Sequence, residues 1–285
     1  MKLNNLKKIF FLTASLIIIP ALQSCAKLDI KDVSAKQAPA SLATPETPAP
    51  PTTPAPVVGV PPEQPSEPAC HTQLINTVRT VKILFLIDTS GSNDGSTGTD
   101  SGKKWRSNVL QTFINSYKSK PNIYYGLATF QGDSVKSHIL VNNTSAFTNN
   151  LSLVDKGIQS FRTTPDQDTT PYKPALILAK KMISDDLKIT NSKDTLYYVV
   201  MISDGGATDY IGPDYIIPDI NNVVSLAPKQ ISMNSVYYYG SFNDASQTKY
   251  LQNIANIGQG NFITANSSES LKIDDILTVP TTVCQ

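Results

Sequence analysis

Histidine is almost absent from this sequence, with only His71 and His138 among 285 residues. Because His is a common general base and zinc ligand, its scarcity argues against His-based hydrolases and zinc sites. An excess of basic charge is also missing, since 24 Lys and Arg residues are balanced by 23 Asp and Glu residues. Nucleic-acid binding depends largely on Lys and Arg contacts to phosphates, so we expect no nucleic-acid partner. We expect both histidines to be plain surface residues.

Sequence motifs of common enzyme classes are missing too. The chain contains no P-loop, no Gly-x-Gly-x-x-Gly fingerprint and no Gly-x-Ser-x-Gly elbow. Asp88 at the end of an apolar run resembles the start of an aspartyl-phosphatase motif. That motif needs a second Asp two residues on, where this chain has Ser90. We therefore expect no enzymatic activity, and a Mg²⁺-dependent hydrolase is the less favoured alternative.

The first 24 residues have the pattern of a secretory signal. Three lysines lie within the first eight residues, and an apolar run follows at 9–22. This run is shorter than the roughly 20 residues of a comfortable membrane span. The segment ends in Leu-Gln-Ser-Cys, which resembles the lipobox of bacterial lipoproteins. We expect residues 1–24 to be removed and Cys25 to be acylated, palmitate included, as a durable membrane anchor; an ordinary signal peptide is the alternative.

The residue after Cys25 is Ala26 rather than Asp. By resemblance to the lipoproteins of enteric bacteria, this favours the outer membrane over retention at the inner membrane. The sequence leaves open whether the protein is on the periplasmic face or the cell surface.

Residues 25–69 are rich in proline, and 11 of the 20 prolines lie between Pro39 and Pro68. Such a composition cannot bury a core, so it predicts a disordered, semi-stiff spacer of polyproline type. At about 3.1 Å per residue, the spacer reaches on the order of 100 Å. We therefore divide the chain into a signal peptide (1–24), a lipid-anchored linker (25–69) and a folded domain (70–285).

Alternating strand and helix patterns fill the folded domain. The predicted strands are 81–87, 123–130, 135–141, 196–202, 235–239 and 261–264. The predicted helices are 105–117, 151–158, 174–183 and 251–257. Nearly all-apolar runs such as 81–87 are typical of central parallel strands, whereas the polar alternation of 135–141 suits an edge strand. The fold class is therefore α/β, with an open, doubly wound, mostly parallel sheet and one antiparallel edge strand.

Short polar segments follow two of the apolar strands. Asp88, Ser90 and Ser92 come after the first, and Asp204 closes another. Because sites in such sheets form beyond the carboxyl ends of the strands, we expect these residues to meet. Hard divalent cations prefer oxygen ligands, and hydroxyls coordinate without cancelling the cation's charge. The sequence therefore predicts an all-oxygen divalent metal site.

Asp-x-Ser-x-Ser after an apolar strand resembles the metal-ion-dependent adhesion site of the von Willebrand factor A (vWA) family. That family also supplies a Thr from a loop shortly before a helix with an Ala-Leu pair, and Thr170 stands before Ala175-Leu176. The last family element, an Asp followed by Gly, matches Asp204-Gly205. The resemblance covers residues 78–275 and implies a Rossmann-like vWA fold.

The resemblance implies a complete ligand set: Asp88, Ser90, Ser92, Thr170 and Asp204. The three hydroxyls bind the cation, and the two carboxylates bind it directly or through water. The expected ion is Mg²⁺, with Mn²⁺ or Ca²⁺ in its place. In the family, an Asp or Glu of a protein partner completes the coordination sphere. We expect the chain to be a monomer.

Three loops depart from the family pattern. Asp168 stands near the position where the family often has Gly, and it either adds negative charge near the cation or points to solvent. Residues 93–102 form a longer link than usual, and we expect a flexible rim loop rather than a calcium loop. Residues 208–218 extend the rim, where Tyr210 and Tyr215 are either binding anchors or packed.

The leading hypothesis is a lipid-anchored adhesion or ligand-binding protein of the cell envelope, which binds an acidic group of a protein partner through the metal. The alternative is a periplasmic scaffold or assembly factor that uses the same metal site. Protease accessibility on intact cells separates the two, because only a surface protein is cleaved from outside.

Acylation of Cys25 leaves two cysteines, Cys70 and Cys284. In an open α/β sheet with a central first strand, the two ends of the domain lie close together, and several extracellular vWA domains close their ends with a disulfide. Export places the chain where disulfides persist, so we predict a Cys70–Cys284 bond worth on the order of 5 kcal/mol. Mass spectrometry of a non-reduced digest checks this, and two alkylatable thiols would support the alternative of free cysteines.

Overall fold

The computed structural model describes residues 79–190, 194–240, 244–269, 271 and 276–277. The strands are β1 Thr80–Asp88, β2 Ile123–Gln131, β3 Ser134–Ser137, β4 Leu140–Val141, β5 Thr144–Ser145, β6 Thr195–Ser203, β7 Ile231–Tyr239 and β8 Gln259–Asn266. The helices are α1 Lys104–Tyr117, α2 Leu151–Thr163, α3 Tyr172–Leu187, α4 Ile217–Val224 and α5 Thr248–Ile257. The predicted signal, lipidated Cys25, linker, His71 and Cys70–Cys284 bond lie outside the described residues.

Six strands form one sheet in the order β3-β2-β1-β6-β7-β8, and β4 and β5 form a separate hairpin. All neighbours in the six-stranded sheet are parallel except β2 and β3. The apolar strand β1 lies between β2 and β6, where both of its edges are paired. This arrangement confirms the predicted open α/β sheet with an antiparallel edge strand.

Each face of the sheet carries its own hydrophobic core. Val81, Ile83, Phe85 and Ile87 of β1 point to the core that contains α1 and α2. The intervening residues of β1, at 84 and 86, point to the core that contains α3, α4 and α5. This alternation follows from the two-residue period of a strand and explains why β1 is apolar at every position from Ile83 to Ile87. None of the described helices is long and apolar enough to span a membrane.

The prediction of an edge strand at 135–141 is wrong for its second half, residues 138–141. Strand β3 ends at Ser137, and the chain then turns inward at His138 and Ile139, which are both buried. The remaining residues pair with β5 in the hairpin, whose turn places Asn142 and Asn143 at positive φ. Asn tolerates this conformation better than most residues, so a two-residue turn fits here.

The predicted rim loop 208–218 is also shorter than expected. A helical turn occupies Pro213–Ile216, and α4 begins at Ile217 with Pro218 in its first turn, where proline is tolerated. Buried Ile216, Ile220 and Val223 recur at helical spacing. That spacing is the sequence signal from which α4 could have been predicted.

The expectation that His138 is a surface residue is wrong. Its side chain is buried, and its two ring nitrogens lie 2.9 Å from the hydroxyls of Thr129 and Ser160. The imidazole therefore joins β2 to α2 in its neutral form. Burial lowers the pKa of His138 to about 4, and Lys136 adds to the effect.

This shift predicts a loss of stability in mild acid. The unfolded chain binds a proton at His138 near the ordinary histidine pKa of 6.5, whereas the folded chain does so only near pH 4. Between these values the unfolded state binds more protons, so the free energy of unfolding falls as the pH falls, by up to about 3 kcal/mol. Urea unfolding at pH 7 and pH 4.5 measures the effect in the wild type and in His138→Gln. An equal pH dependence in both proteins would contradict this assignment.

Candidate metal centre

The register of the sheet brings the two predicted carboxylates together. Strands β1 and β6 are parallel neighbours, and Ile87 lies opposite Ile202. Asp88 therefore ends one strand at the level where Ser203 ends the next, and Asp204 follows directly. The two apolar strands terminate at the same edge because both lose their apolar pattern at this point.

A continuous set of hydrogen bonds joins four of the five predicted ligands. The Ser90 amide donates to Asp88 Oδ1 at 2.7 Å, and the hydroxyls of Ser90 and Ser92 are hydrogen-bonded at 3.0 Å. Ser92 Oγ donates to Asp204 Oδ1 at 2.9 Å. The predicted oxygens of Asp88, Ser90, Ser92 and Asp204 thus form one cluster, with Ser92 on its exposed side.

Asp88 is the fully buried member of the cluster. Its second carboxylate oxygen accepts a hydrogen bond from Ser203 Oγ at 2.5 Å. Burial raises the pKa of Asp88 to about 7, and the nearby charge of Asp204 contributes to the rise. Burial raises the pKa of Asp204 as well. Two adjacent buried carboxylates disfavour one another's charge, so the cluster is suited to binding a cation.

Asp204 Oδ2 is the atom that remains without a partner. It is buried and makes no hydrogen bond, although Oδ1 of the same carboxylate accepts hydrogen bonds from Ser92 and Asn93. An unpaired buried carboxylate oxygen is costly, and a bound cation satisfies it. The donor set of carboxylates and hydroxyls matches Mg²⁺ or Mn²⁺. Within the described residues no group of three or more His, Cys, Asp or Glu side chains could hold a metal, so this centre depends on its hydroxyls.

The Thr170 loop lies beside the cluster and is held there by backbone hydrogen bonds. The amide of Gly91 donates to the Asp168 carbonyl at 2.9 Å, and the amide of Thr208 donates to the Thr170 carbonyl at 2.9 Å. The Thr170 loop is therefore held between the Ser90 loop and the Asp204 loop. Its side chain is buried, but no described hydrogen bond joins its hydroxyl to the other four residues. A Cβ at position 91 would lie 3.3 Å from the Asp168 carbonyl oxygen, which explains the glycine between the two serines.

The Asp168 side chain is exposed and is directed along the edge towards Gly132, where a Cβ would lie 3.2 Å from its Oδ2. Asp168 itself has a φ of 61°, which glycine adopts more easily. Of the two alternatives, the structure supports the exposed carboxylate.

Arg106 is the functional residue that the sequence analysis missed. Its guanidinium is completely buried, and each of its five N–H groups has a partner. Nη1 donates to the backbone carbonyl of Asp88 at 2.6 Å, and the two terminal nitrogens donate to the Asp166 carboxylate at 3.1 and 3.0 Å. Nε donates to the Asp100 carboxylate at 2.9 Å, and Nη2 donates to the Asp100 carbonyl at 3.1 Å. One side chain therefore joins three segments that surround the centre.

The loop 93–102 is not the flexible rim that was expected. Asp100 is buried, pairs with Arg106 and accepts hydrogen bonds from the first amides of α1, at Trp105 and Arg106. Asn93 is buried too, accepts a hydrogen bond from Tyr238 and donates to Asp204 Oδ1 at 3.5 Å. Asp100 is therefore an internal ion-pair partner rather than a calcium ligand.

A second capping contact fixes the opposite side of the centre. The Asp209 carboxylate accepts hydrogen bonds from the amides of Tyr172 and Lys173 at 3.1 and 2.8 Å, at the start of α3. Tyr172 is fully buried, and its hydroxyl donates to the Gly205 carbonyl at 2.5 Å. Asp209 thus stabilises the amino end of α3 and ties the Asp204 loop to it.

Comparisons with known proteins agree with this fold. The family model described as the von Willebrand factor type A domain matches residues 82–278. A solved von Willebrand factor type A structure from Catenulispora acidiphila is 12% identical with a TM-score of 0.50, and the match covers 66% of this chain and 38% of that chain. No curated protein matches the chain significantly.

Two further solved structures resemble the fold at low identity. One is the vWF domain of the type V pili tip protein Mfa5 from Porphyromonas gingivalis, with 12% identity, a TM-score of 0.48 and coverage of 67% of this chain and 90% of that chain. The other is the manganese-loaded TRAP protein of Plasmodium vivax, with 13% identity, a TM-score of 0.45 and coverage of 62% and 63%.

The Arg106 contacts predict that a side chain that does not bind the metal itself influences the affinity of the centre for Mg²⁺. Lysine keeps the charge but has a single donor atom, so it cannot bind the Asp88 carbonyl, Asp100 and Asp166 together. We expect Arg106→Lys to weaken Mg²⁺ binding about tenfold, or about 1.4 kcal/mol, in isothermal titration calorimetry. Lys82→Arg is the matched control, because Lys82 is buried against Asp186 at the other end of β1, with 2.6 Å between Nζ and Oδ2. Equal losses in both variants, or none in Arg106→Lys, would contradict this role.

Proposed function

Because the chain belongs to the von Willebrand factor type A domain family, we propose that it is a ligand-binding protein of the adhesion class. Its metal centre binds an acidic group of a protein partner. The observation that carries this proposal is the unpaired, buried Asp204 Oδ2 beside the hydroxyls of Ser90 and Ser92.

Each residue of the cluster contributes differently to the binding of a cation. Asp204 offers its free oxygen, and Ser90 and Ser92 offer neutral oxygens. Asp88 contributes negative charge while it holds the Ser90 amide in place. Thr170 adds a third hydroxyl from the loop that is hydrogen-bonded to both neighbouring loops. A cation bound there supplies a positive charge that accepts a carboxylate as a further ligand.

The composition of the cluster supports an acidic partner. Two carboxylates balance the charge of a divalent cation, and the remaining protein ligands are neutral hydroxyls, which leave the cation electrophilic. The exposed position of Ser92 leaves the cluster open to solvent on one side. A partner carboxylate can therefore approach without displacing a protein ligand.

We extend the proposal to the whole chain on the basis of its amino-terminal sequence. A lipid on Cys25 attaches the protein to the outer membrane, and the proline-rich residues 26–69 hold the folded domain away from the lipid surface. The role that we propose is binding rather than catalysis. The same centre on the periplasmic face would serve a scaffold.

Removal of the free carboxylate oxygen tests the metal assignment. Asp204→Asn keeps the shape of the side chain but removes its charge, so we expect Mg²⁺ and Mn²⁺ affinity to fall by at least about tenfold. The double variant Ser90→Ala/Ser92→Ala should lose the site as well. Calorimetric titration of the chain from Cys25 onwards measures both. Asp194→Asn, an exposed Asp just before β6, is the matched control that should behave as the wild type.

The partner is tested separately. The experiment measures capture of envelope proteins under three conditions. These are the wild type in Mg²⁺, the wild type in excess EDTA, and Asp88→Ala in Mg²⁺. We expect capture only by the wild type in Mg²⁺. Capture that persists in EDTA would show that the partner uses another surface, and wild-type metal affinity in Asp204→Asn would refute the metal centre itself.

A further inference from the structure

Two large apolar side chains are exposed in the loop that leaves the metal centre. Ile211 is 85% exposed and Tyr215 is 61% exposed, and both follow Asp204 within the segment that leads to α4. The Tyr215 ring packs against Gly212, the residue that follows Ile211, since a Cβ at position 212 would lie 3.5 Å from it. We call this segment with its two exposed apolar side chains the Ile211 corner (Ile211, Gly212 and Tyr215).

The loop that carries this corner is held firmly in place. Its hydrogen bonds to other elements include Gly206 N to Gln247 Oε1 at 2.9 Å, Thr208 N to the Thr170 carbonyl at 2.9 Å, Tyr250 Oη to the Tyr210 carbonyl at 3.3 Å, and Asn253 Nδ2 to the Pro213 carbonyl at 2.8 Å. The Tyr210 hydroxyl also donates to Asp219 at 2.6 Å. Tyr210 is therefore a packed residue, whereas Tyr215 is directed to solvent.

A fixed loop with exposed apolar side chains has the properties of a binding anchor. Exposed Ile and Tyr side chains add nothing to the folded core, and leaving their apolar surface in water is unfavourable in free energy. A loop that is already ordered loses little conformational entropy when a partner binds. Large apolar or aromatic residues in such positions dominate binding energy at protein interfaces.

The corner is also continuous with the metal centre. The same loop begins at the metal ligand Asp204, and Thr208, three residues before Ile211, is bonded to Thr170. The loop therefore leaves the centre on the side of Asp204 and Thr170. The chemistry that fits both features is a peptide segment with one carboxylate and a large apolar side chain beside it in the sequence.

We propose that the Ile211 corner binds a large apolar side chain of the same protein partner whose Asp or Glu reaches the metal centre. This inference rests on the proposed function and adds a second determinant to it. The metal centre selects the carboxylate, and the corner selects which acidic segments bind well.

The test uses synthetic peptides, each with a single Asp in a Gly-Ser background. One series carries a Leu at one to ten residues from the Asp on either side, and the matched series carries Ser there. Dissociation constants are measured in Mn²⁺ by fluorescence polarisation with the chain from Cys25 onwards. We expect at least one spacing at which the Leu peptide binds about tenfold more tightly than its Ser counterpart, as burial of one large apolar side chain predicts.

For each variant we take the ratio of the dissociation constant of the Ser peptide to that of the Leu peptide. A change in metal affinity affects both constants equally and cancels in this ratio. Ile211→Ser should bring the ratio close to one. Ile189→Ser is the matched control, since Ile189 is also 85% exposed but follows α3 at the opposite edge of the sheet, and it should keep the wild-type ratio.

A ratio near one at every spacing, or a wild-type ratio in Ile211→Ser, overturns the inference and leaves the proposed function intact when the peptides still bind in Mn²⁺ alone. Binding that persists in EDTA, or an absence of binding by any Asp peptide, overturns the proposed function and the inference with it. A ratio lost in Ile211→Ser and kept in Ile189→Ser supports both.

Discussion

The buried guanidinium of Arg106 holds together the loops that carry the candidate metal ligands. A backbone carbonyl of Asp88 and the carboxylates of Asp100 and Asp166 converge on it, and all five of its donors are used. Lys103 adds a second cation at 2.7 Å from Asp166, so two positive and two negative charges balance one another in the interior. Removal of one member would leave a buried charge unpaired, which costs several kcal/mol. This cluster holds the loops while the ligands themselves remain free to bind.

The position of β1 explains why the candidate metal ligands meet at this edge of the sheet. A central strand has neighbours on both sides, so its carboxyl end is surrounded by loops from β2 and β6. Asp88 is completely buried as a result, and Asp204, the residue after β6, is joined to the same cluster through Ser92. The sheet therefore brings two like charges close together. The two serines supply neutral oxygens between them, on a loop whose glycine allows close approach to the Thr170 loop.

The sequence predicts the sheet and the ligand residues because both signals are local. The apolar runs give the strands, and Asp88, Ser90 and Ser92 are neighbours in the chain. Arg106 could not be predicted because its partners are 6, 18 and 60 residues away, and nothing in the local pattern separates it from a surface arginine on a helix. The same reason applies to His138, whose partners lie 9 and 22 residues away. The short helix α4 had a usable pattern, which two prolines and a glycine obscured.

Strand β1 also has a mechanical meaning. It begins at Thr80, beside the predicted tether, and ends at Asp88 in the metal centre. If the amino-terminal segment anchors the protein as proposed, a pull on a bound partner would act along this strand. Its hydrogen bonds to β2 and β6 run across that direction on both sides, over eight residue pairs each, so the load would be shared in shear instead of opening the bonds one at a time. Within the described sheet, β1 is therefore well placed to carry such a load.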